Sequence, residues 1–177
     1  MNSEMKSIKN KLKKIINDRN FLDVILFGSA IKGKTIPSDI DIAIISEKEV
    51  NKELFEPKDF HFSFLSPSDF FKKRITLLNT LFREGYSLKF NKFFSELYGF
   101  KNLVLFVYEL RGISNSKKVK IVNALRGKAN KKGMVSEKGG NWLANQVFFI
   151  PIGSEYLFEK FFINFEIKFK KYYLLMH

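Results

Sequence analysis

Hydrophobic positions in the first hundred residues follow helical spacing in some segments and form strand-like runs in others. Residues 3–19 show helical spacing with lysines on the polar side. Continuous apolar runs before turn residues predict buried strands, and strict alternation predicts a strand with one polar side. The later elements predicted in this way are strands at 24–27, 40–45 and 59–64 and helices at 66–83 and 92–98.

The pattern restarts near residue 101. Further strands are predicted at 103–110, 146–152 and 165–175 and helices at 117–125 and 155–163, with Ser114 or Ser116 as a helix cap. The stretch 127–140 is interpreted as a basic loop. From this order we expect an α+β protein in two parts, a mixed sheet with helices over residues 1–100 and a small basic α+β domain over residues 101–177.

The composition excludes several classes of protein and of metal site. The 177-residue chain is 45% hydrophobic, which indicates a globular protein. It has no cysteine, which excludes disulfides and thiolate metal sites. No apolar run approaches the roughly 20 residues that span a bilayer, and the basic N-terminus lacks the apolar centre of a secretion signal. We therefore expect a soluble cytoplasmic protein without a membrane partner.

The net charge of +13 is unevenly distributed. Residues 1–100 contain 17 basic and 13 acidic side chains, whereas residues 101–177 contain 14 and 5. This surplus favours a polyanionic partner, and RNA is the partner we expect. The alternative is a lysine-rich surface that only serves solubility.

One segment combines a tight turn with paired carboxylates. The run 24–27 stops at Gly28-Ser29, and Ser38 then precedes Asp39-Ile40-Asp41. Carboxylates separated by one strand residue point to the same side, and a divalent cation neutralises their repulsion. A glycine turn lets the backbone approach a phosphate closely. The segment therefore predicts a Mg²⁺ and nucleoside triphosphate site, to which Lys32 and Lys34 add positive charge.

This segment resembles the polymerase-β-type nucleotidyltransferase superfamily, in which a Gly-Ser turn is followed by an Asp-x-Asp pair. Within it, the pattern is similar to the minimal nucleotidyltransferases. The matching positions are Gly28, Ser29, Gly33, Ser38, Asp39, Ile40 and Asp41, with Lys32 where that subgroup often has arginine. The resemblance covers residues 22–65 and implies the nucleotidyltransferase fold for the first part of the chain.

The resemblance also implies roles for individual residues. Asp39 and Asp41 would ligate Mg²⁺, with two ions expected, and a third carboxylate would accept the proton of the attacking hydroxyl. Asp59 is the candidate for that third, catalytic and metal-binding position, because strand alternation places it on one side with His61. The candidate nucleotide-binding residues are Gly28, Ser29, Lys32, Lys34 and Ser38, and the expected substrate is ATP. His61 itself is interpreted as a structural residue.

The basic second half supplies the candidate RNA contacts. Between Arg111 and Lys138 there are nine basic residues and one acidic residue. The candidate RNA-binding residues are Lys117, Lys118, Lys120, Arg126, Lys128, Lys131 and Lys132. Nearby aromatic residues on strands are expected to be core, with a stacking platform for single-stranded RNA as the alternative. These aromatic residues are Phe106, Tyr108, Phe148 and Phe149.

Two main functions are compatible with these features. The first is Mg²⁺-dependent transfer of a nucleoside monophosphate from a triphosphate to an acceptor hydroxyl, with RNA favoured by the charge. The resemblance also permits a protein acceptor, since minimal nucleotidyltransferases include antitoxins that adenylylate a partner toxin. The second is a catalytically weak or inactive nucleotidyltransferase fold that binds RNA within a ribonucleoprotein particle. A small-molecule acceptor gains no support from the charge.

Overall fold

The computed structural model of the chain describes residues 3–33, 39–51, 55, 59–72, 76–129 and 131–177. Its internal contacts divide the chain into two units, Met1–Gly99 and Phe100–His177. Each unit combines helices with a sheet, which confirms the α+β class predicted from the sequence.

The first unit is built on a mixed sheet. Its elements are α1 (Ser3–Lys11), α2 (Lys13–Ile16), β1 (Phe21–Phe27), β2 (Ile40–Ser46), β3 (Phe60–Leu65), α3 (Thr76–Glu84), β4 (Tyr86–Ser87) and β5 (Lys92–Phe93). The strands lie in the order β3-β2-β1-β4-β5. β1 and β2 are antiparallel, whereas β2 and β3 are parallel, so the ends of three strands surround the turn that follows β1.

The apolar runs of β1 and β2 form the centre of this unit. Ile25 and Ala43 belong to a buried cluster that also contains Leu81 of α3. Leu12, between α1 and α2, is also fully buried, and α2 contacts β1. Since burial of apolar side chains is the main stabilising contribution, β1 and β2 provide a rigid support for the residues at their ends.

Two predicted helices differ from the observed elements. In place of one helix at 66–83 there is a short 3₁₀ helix, Pro67–Phe71, before α3. The carboxylate of Asp69 accepts hydrogen bonds from the backbone N–H and the hydroxyl of Ser66, which holds this tight turn. In place of the helix at 92–98, β5 is followed by a 3₁₀ helix, Phe94–Tyr98.

The second unit contains an antiparallel sheet. Its elements are β6 (Lys101–Glu109), α4 (Asn115–Arg126), β7 (Gly127–Lys128), β8 (Lys131–Lys132), α5 (Met134–Glu137), β9 (Asn141–Ala144), β10 (Val147–Pro151), α6 (Glu155–Asn164) and β11 (Lys168–Met176). The order β11-β6-β10-β9, with the main crossovers made by α4 and α6, is a split βαβ arrangement. The prediction of a single loop at 127–140 was wrong, because this stretch forms the β7–β8 hairpin and α5.

One face of this second sheet carries the aromatic core. Phe106 and Phe148 stack on each other and contact Phe158 and Phe162 of α6. All four rings are fully buried, as expected for aromatic core residues on alternating strand positions. Within the described part of the chain, none of the helices combines the length and the apolar character needed to cross a bilayer.

Candidate active site

The turn after β1 brings backbone against a carboxylate. The chain leaves β1 at Phe27 and enters a 3₁₀ helix at Gly28, which has a φ of +82°. A Cβ atom at Gly28 would lie 2.6 Å from Oδ2 of Asp41, so a larger residue cannot fit without moving the carboxylate. Glycine is therefore required here both for its left-handed backbone and for the close approach.

Asp41 occupies a partly buried position beside this turn. It pairs in register with Phe27 on β1, and its side chain is 36% exposed. Burial raises the pKa of Asp41, the nearby negative charges of Asp39 and Glu84 add to the rise, and His61 opposes it. Asp39 lies one residue before β2 and is exposed. The ionised pair thus repels itself, and a cation would relieve that repulsion.

The residue beside Asp41 on β3 is a histidine. Asp41 and His61 are partners in the parallel register, and Nδ1 of His61 lies 3.7 Å from Oδ1 of Asp41. Asp59 lies just before β3, where its backbone carbonyl accepts a hydrogen bond from Ile40 N–H. Its carboxylate faces Lys11 at 3.5 Å and is 72% exposed. The sequence placed Asp59 and His61 on one side but did not identify His61 as the neighbour of Asp41.

A buried glutamate lies close to the same site. Glu84, at the end of α3, is 3% exposed, and its carboxylate forms a salt bridge with Nζ of Lys32 at 2.9 Å. Its carboxylate also bonds to Nε of Arg83 at 3.1 Å. Sequence reasoning missed Glu84, although the segment Arg83-Glu84-Gly85-Tyr86-Ser87 is distinctive in composition. The only sequence signal was a charged pair directly before a glycine at the end of an apolar helix.

The remaining predicted site residues of the first unit are less informative. Ser29 is half-buried in the 3₁₀ helix after Gly28. Lys34 and Ser38 lie outside the described residues. Among the residues that are described, no group of three histidine, aspartate or glutamate side chains is close enough to hold a metal ion.

The predicted RNA-binding residues differ in their surroundings. Lys117 forms a salt bridge with Glu166 at 3.0 Å, and the guanidinium of Arg126 lies 3.9 Å from the ring centre of Trp142. Lys118 is half-buried on α4. The other predicted lysines are exposed on α4 and on the β7–β8 hairpin, namely Lys120, Lys128, Lys131 and Lys132.

Comparison with protein families finds a match over most of the first unit. A family model described as "Polymerase beta, Nucleotidyltransferase" matches residues 10–81, which include the Gly28 turn, both aspartates and His61. The first unit carries a nucleotidyltransferase domain of the polymerase-β type. This confirms the predicted superfamily, while the minimal subgroup remains a prediction. No curated protein and no solved structure matches the chain.

Two residues of this nucleotidyltransferase domain are suitable ligands for a hard cation such as Mg²⁺. Asp39 and Asp41 offer carboxylate oxygens, the ligands that Mg²⁺ prefers. Burial raises the pKa of Asp41, His61 opposes the rise and the charges of Asp39 and Glu84 add to it, so a bound cation would favour the ionised carboxylate. Two carboxylates leave room for phosphate oxygens to complete the coordination, as is usual for Mg²⁺.

Proposed function

We propose that the chain is a Mg²⁺-dependent nucleotidyltransferase that moves a nucleoside monophosphate from a nucleoside triphosphate, expected to be ATP, to a hydroxyl group of RNA. The observation that carries the proposal is the contact between the Gly28 turn and the Asp41 carboxylate. This contact joins a backbone suited to phosphate with a carboxylate suited to Mg²⁺.

The reaction exchanges one phosphorus–oxygen bond for another. The acceptor hydroxyl oxygen bonds to the α-phosphorus, the bond from that phosphorus to the leaving pyrophosphate breaks, and the hydroxyl proton passes to a base. Mg²⁺, with two ions expected, supplies electrostatic stabilisation of the attacking and leaving oxygens when bound. Asp39 and Asp41 would hold the metal, and the Gly28-Ser29 turn would donate its amide and hydroxyl groups to the triphosphate.

Asp59 is the proposed proton acceptor and third carboxylate. The backbone contact between Ile40 and Asp59 places Asp59 beside Asp39 at the ends of adjacent parallel strands. Its carboxylate is accessible and lies 3.5 Å from Nζ of Lys11. An exposed ion pair of this kind contributes only about 0–1 kcal/mol to stability. A rotation of the Asp59 side chain away from Lys11 is therefore inexpensive.

Lys32 is the proposed cation for the triphosphate. Its ammonium group is retained near the Gly28 turn by the buried carboxylate of Glu84. A lysine held in this way is a point charge that phosphate oxygens can approach. Lys34 and Ser38 are further candidates for triphosphate contacts from the sequence.

The choice of RNA as acceptor rests on charge. The second half of the chain has 14 basic and 5 acidic residues, and lysines on α4 and the β7–β8 hairpin are exposed. Phosphate contacts of this type favour nucleic acid with little base preference and weaken steeply with salt.

The test is to incubate the full chain with each α-³²P-labelled nucleoside triphosphate, cellular RNA and Mg²⁺. We expect ATP to label RNA, and we expect chelation of Mg²⁺ to abolish the labelling. Label that appears only on protein would replace the RNA acceptor with a protein acceptor. Labelling that survives the combined Asp39→Ala and Asp41→Ala substitutions would contradict the proposed site.

A second candidate function is non-catalytic RNA binding by the same fold. It is favoured by the lack of three converging metal-binding side chains among the described residues and by the contact between Asp59 and Lys11. This function predicts RNA binding without any incorporation of label, so the same experiment separates the two candidates.

A further inference from the structure

The second unit's sheet has one face that does not carry the aromatic core. Alternation puts Phe106 and Phe148 toward α6, and it puts their neighbours along β6 and β10 on the opposite face. We name that opposite face the Phe149 face. It includes Leu105, Val107, Glu109, Val147, Phe149, Lys168, Lys170 and Tyr172.

Two aromatic rings share one cross-strand row of this face. Tyr172 and Phe149 are both register partners of Leu105, from opposite sides of β6. Neighbouring strands are about 4.8 Å apart, so the two aromatic residues lie about 10 Å apart. Tyr172 is 49% exposed and Phe149 is partly exposed, so both rings present surface to the solvent.

Lysines border the same rings. Lys170 lies in the next row, paired with Val107, and Lys168 follows beside Glu109. Both lysines are exposed. In the described part of the chain, neither forms an ion pair with an acidic side chain. The face therefore combines accessible rings with two exposed lysines, of which Lys168 has Glu109 as its register partner and Lys170 has the apolar Val107.

We infer that the Phe149 face binds single-stranded RNA, with bases stacked on Phe149 and Tyr172 and phosphates next to Lys168 and Lys170. Aromatic rings on an open four-stranded sheet stack unpaired bases, and lysines along the strand contact the backbone. The surplus of basic residues in this unit supplies the charge complementarity. The inference takes RNA as the partner from the proposed function and assigns the surface that holds it.

The location differs from the one predicted by sequence. The candidate lysines of α4 and the β7–β8 hairpin lie outside the rows of β6, β10 and β11 that form this face. Of the four aromatic residues considered for stacking, only Phe149 lies on it. Phe106, Tyr108 and Phe148 are buried.

The test measures fluorescence anisotropy of a labelled single-stranded RNA decamer with the full chain, in the absence of nucleoside triphosphate. Since each stacked base is lost with its ring, we expect Tyr172→Ala and Phe149→Ala to weaken binding roughly tenfold each. Tyr172→Phe keeps the ring and should bind like the unmodified protein. Lys170→Ala should reduce the slope of log K against log salt by about 0.7, because one phosphate contact is lost.

Matched controls use residues away from the face. Phe71→Ala removes a 90% exposed ring in the first unit, and Lys160→Ala removes an exposed charge on α6. Both should bind the decamer with an affinity that is within twofold of the unmodified affinity. Because Tyr172 is half-exposed, Tyr172→Ala should have the circular dichroism spectrum and melting temperature of the unmodified protein. If Phe149→Ala fails to fold, the binding affinity of Tyr172→Ala tests the inference by itself.

Three results would overturn the inference: no binding of the decamer, equal binding by Tyr172→Ala and the unmodified protein, or equal affinity for duplex RNA of the same length. The same titration with the combined Asp39→Ala and Asp41→Ala variant separates this inference from the proposed function. Ring-dependent binding without nucleotidyl transfer contradicts only the proposed function. Transfer to RNA with ring-independent binding contradicts only the Phe149 face.

Discussion

Oδ2 of Asp41 lies 2.6 Å from the position that a Cβ atom of residue 28 would occupy. Gly28 thus sets how closely the backbone after β1 approaches the carboxylate, and its φ of +82° is one that other residues rarely adopt. The proposed nucleotidyltransferase site depends on this approach, because a phosphate held by the turn would then lie next to the carboxylate.

Gly28→Ala should inactivate the site and lower stability. The added methyl group collides with the Asp41 carboxylate, and the left-handed backbone costs about 1–2 kcal/mol for an L side chain. We expect nucleotidyl transfer to fall at least tenfold and the urea midpoint to decrease. Gly112→Ala is the control, because Gly112 also has a positive φ but has open space around it. Similar losses of transfer in both variants would contradict a specific role for the contact with Asp41.

Asp41→Asn should stabilise the protein in the absence of metal while it removes activity. Burial and the charges of Asp39 and Glu84 raise the pKa of Asp41, so its ionised form costs free energy at neutral pH. A neutral amide avoids that cost, and we expect a higher melting temperature in EDTA. Added Mg²⁺ with ATP should raise the melting temperature of the unmodified protein but leave that of Asp41→Asn unchanged. A lower melting temperature for Asp41→Asn in EDTA would show that the negative charge is compensated within the protein.

The roles of Asp59 and His61 can be separated by substitution. If Asp59 accepts the proton, Asp59→Ala should lower kcat about 100-fold or more with little change in KM for ATP. His61→Ala should have a smaller effect, and Lys11→Ala should leave activity intact because it only frees the Asp59 carboxylate. Near-normal activity of Asp59→Ala together with an inactive His61→Ala would assign the role to His61, which faces Asp41 at 3.7 Å.

Glu84→Ala should destabilise the first unit. It removes the buried carboxylate that Lys32 and Arg83 share, and since both cations are partly exposed we expect a loss of about 1–3 kcal/mol. Urea unfolding measures this cost, and Glu47→Ala serves as the exposed control. The combined Glu84→Ala and Lys32→Ala variant should recover part of the lost stability. Additive losses in the combined variant would rule out the pair as the source of the effect.

Asp69 gives a prediction for acid pH. Hydrogen bonds from Lys72 and then from Ser66 lower the pKa of Asp69 from 3.8 to about 2. Because the pKa of Asp69 is lower in the folded than in the unfolded protein, the stabilising contribution of Asp69 is present above the unfolded pKa. It is lost as the pH falls through the folded pKa. Between pH 4 and pH 2 the melting temperature of Asp69→Asn should therefore decrease less than that of the unmodified protein. Parallel decreases would contradict the contribution of this capping interaction.

The parts of the site that sequence could predict are those set by local spacing. Asp39 and Asp41 are separated by one residue at the start of β2, so the alternation of extended chain alone puts the two carboxylates on one side. The pairing of His61 with Asp41 depends on the parallel register of β2 and β3. That register is set by how the chain between the two strands crosses back to the start of the sheet. Sequence alternation described each strand but did not fix their relative register.

Glu84 and β9 are two further features that the sequence pattern did not predict. Glu84 reaches Lys32 only because α3 folds back onto β1, and no local pattern marks that contact. β9 was missed because the residues of Asn141–Ala144 are largely exposed and so lack the apolar alternation that marks a strand. In contrast, the expectation that Phe148 is a core residue is confirmed, whereas the same expectation for Phe149 was wrong, because Phe149 is partly exposed on the other face of β10.

The most direct test of the site is a crystal structure of the full chain with Mn²⁺ and a non-hydrolysable ATP analogue, recorded with anomalous scattering. We predict Mn²⁺ within direct coordination distance of carboxylate oxygens of Asp39 and Asp41, with the triphosphate against the Gly28-Ser29 backbone and close to Lys32. Anomalous peaks that avoid both aspartates, or a nucleotide bound away from the Gly28 turn, would contradict this assignment.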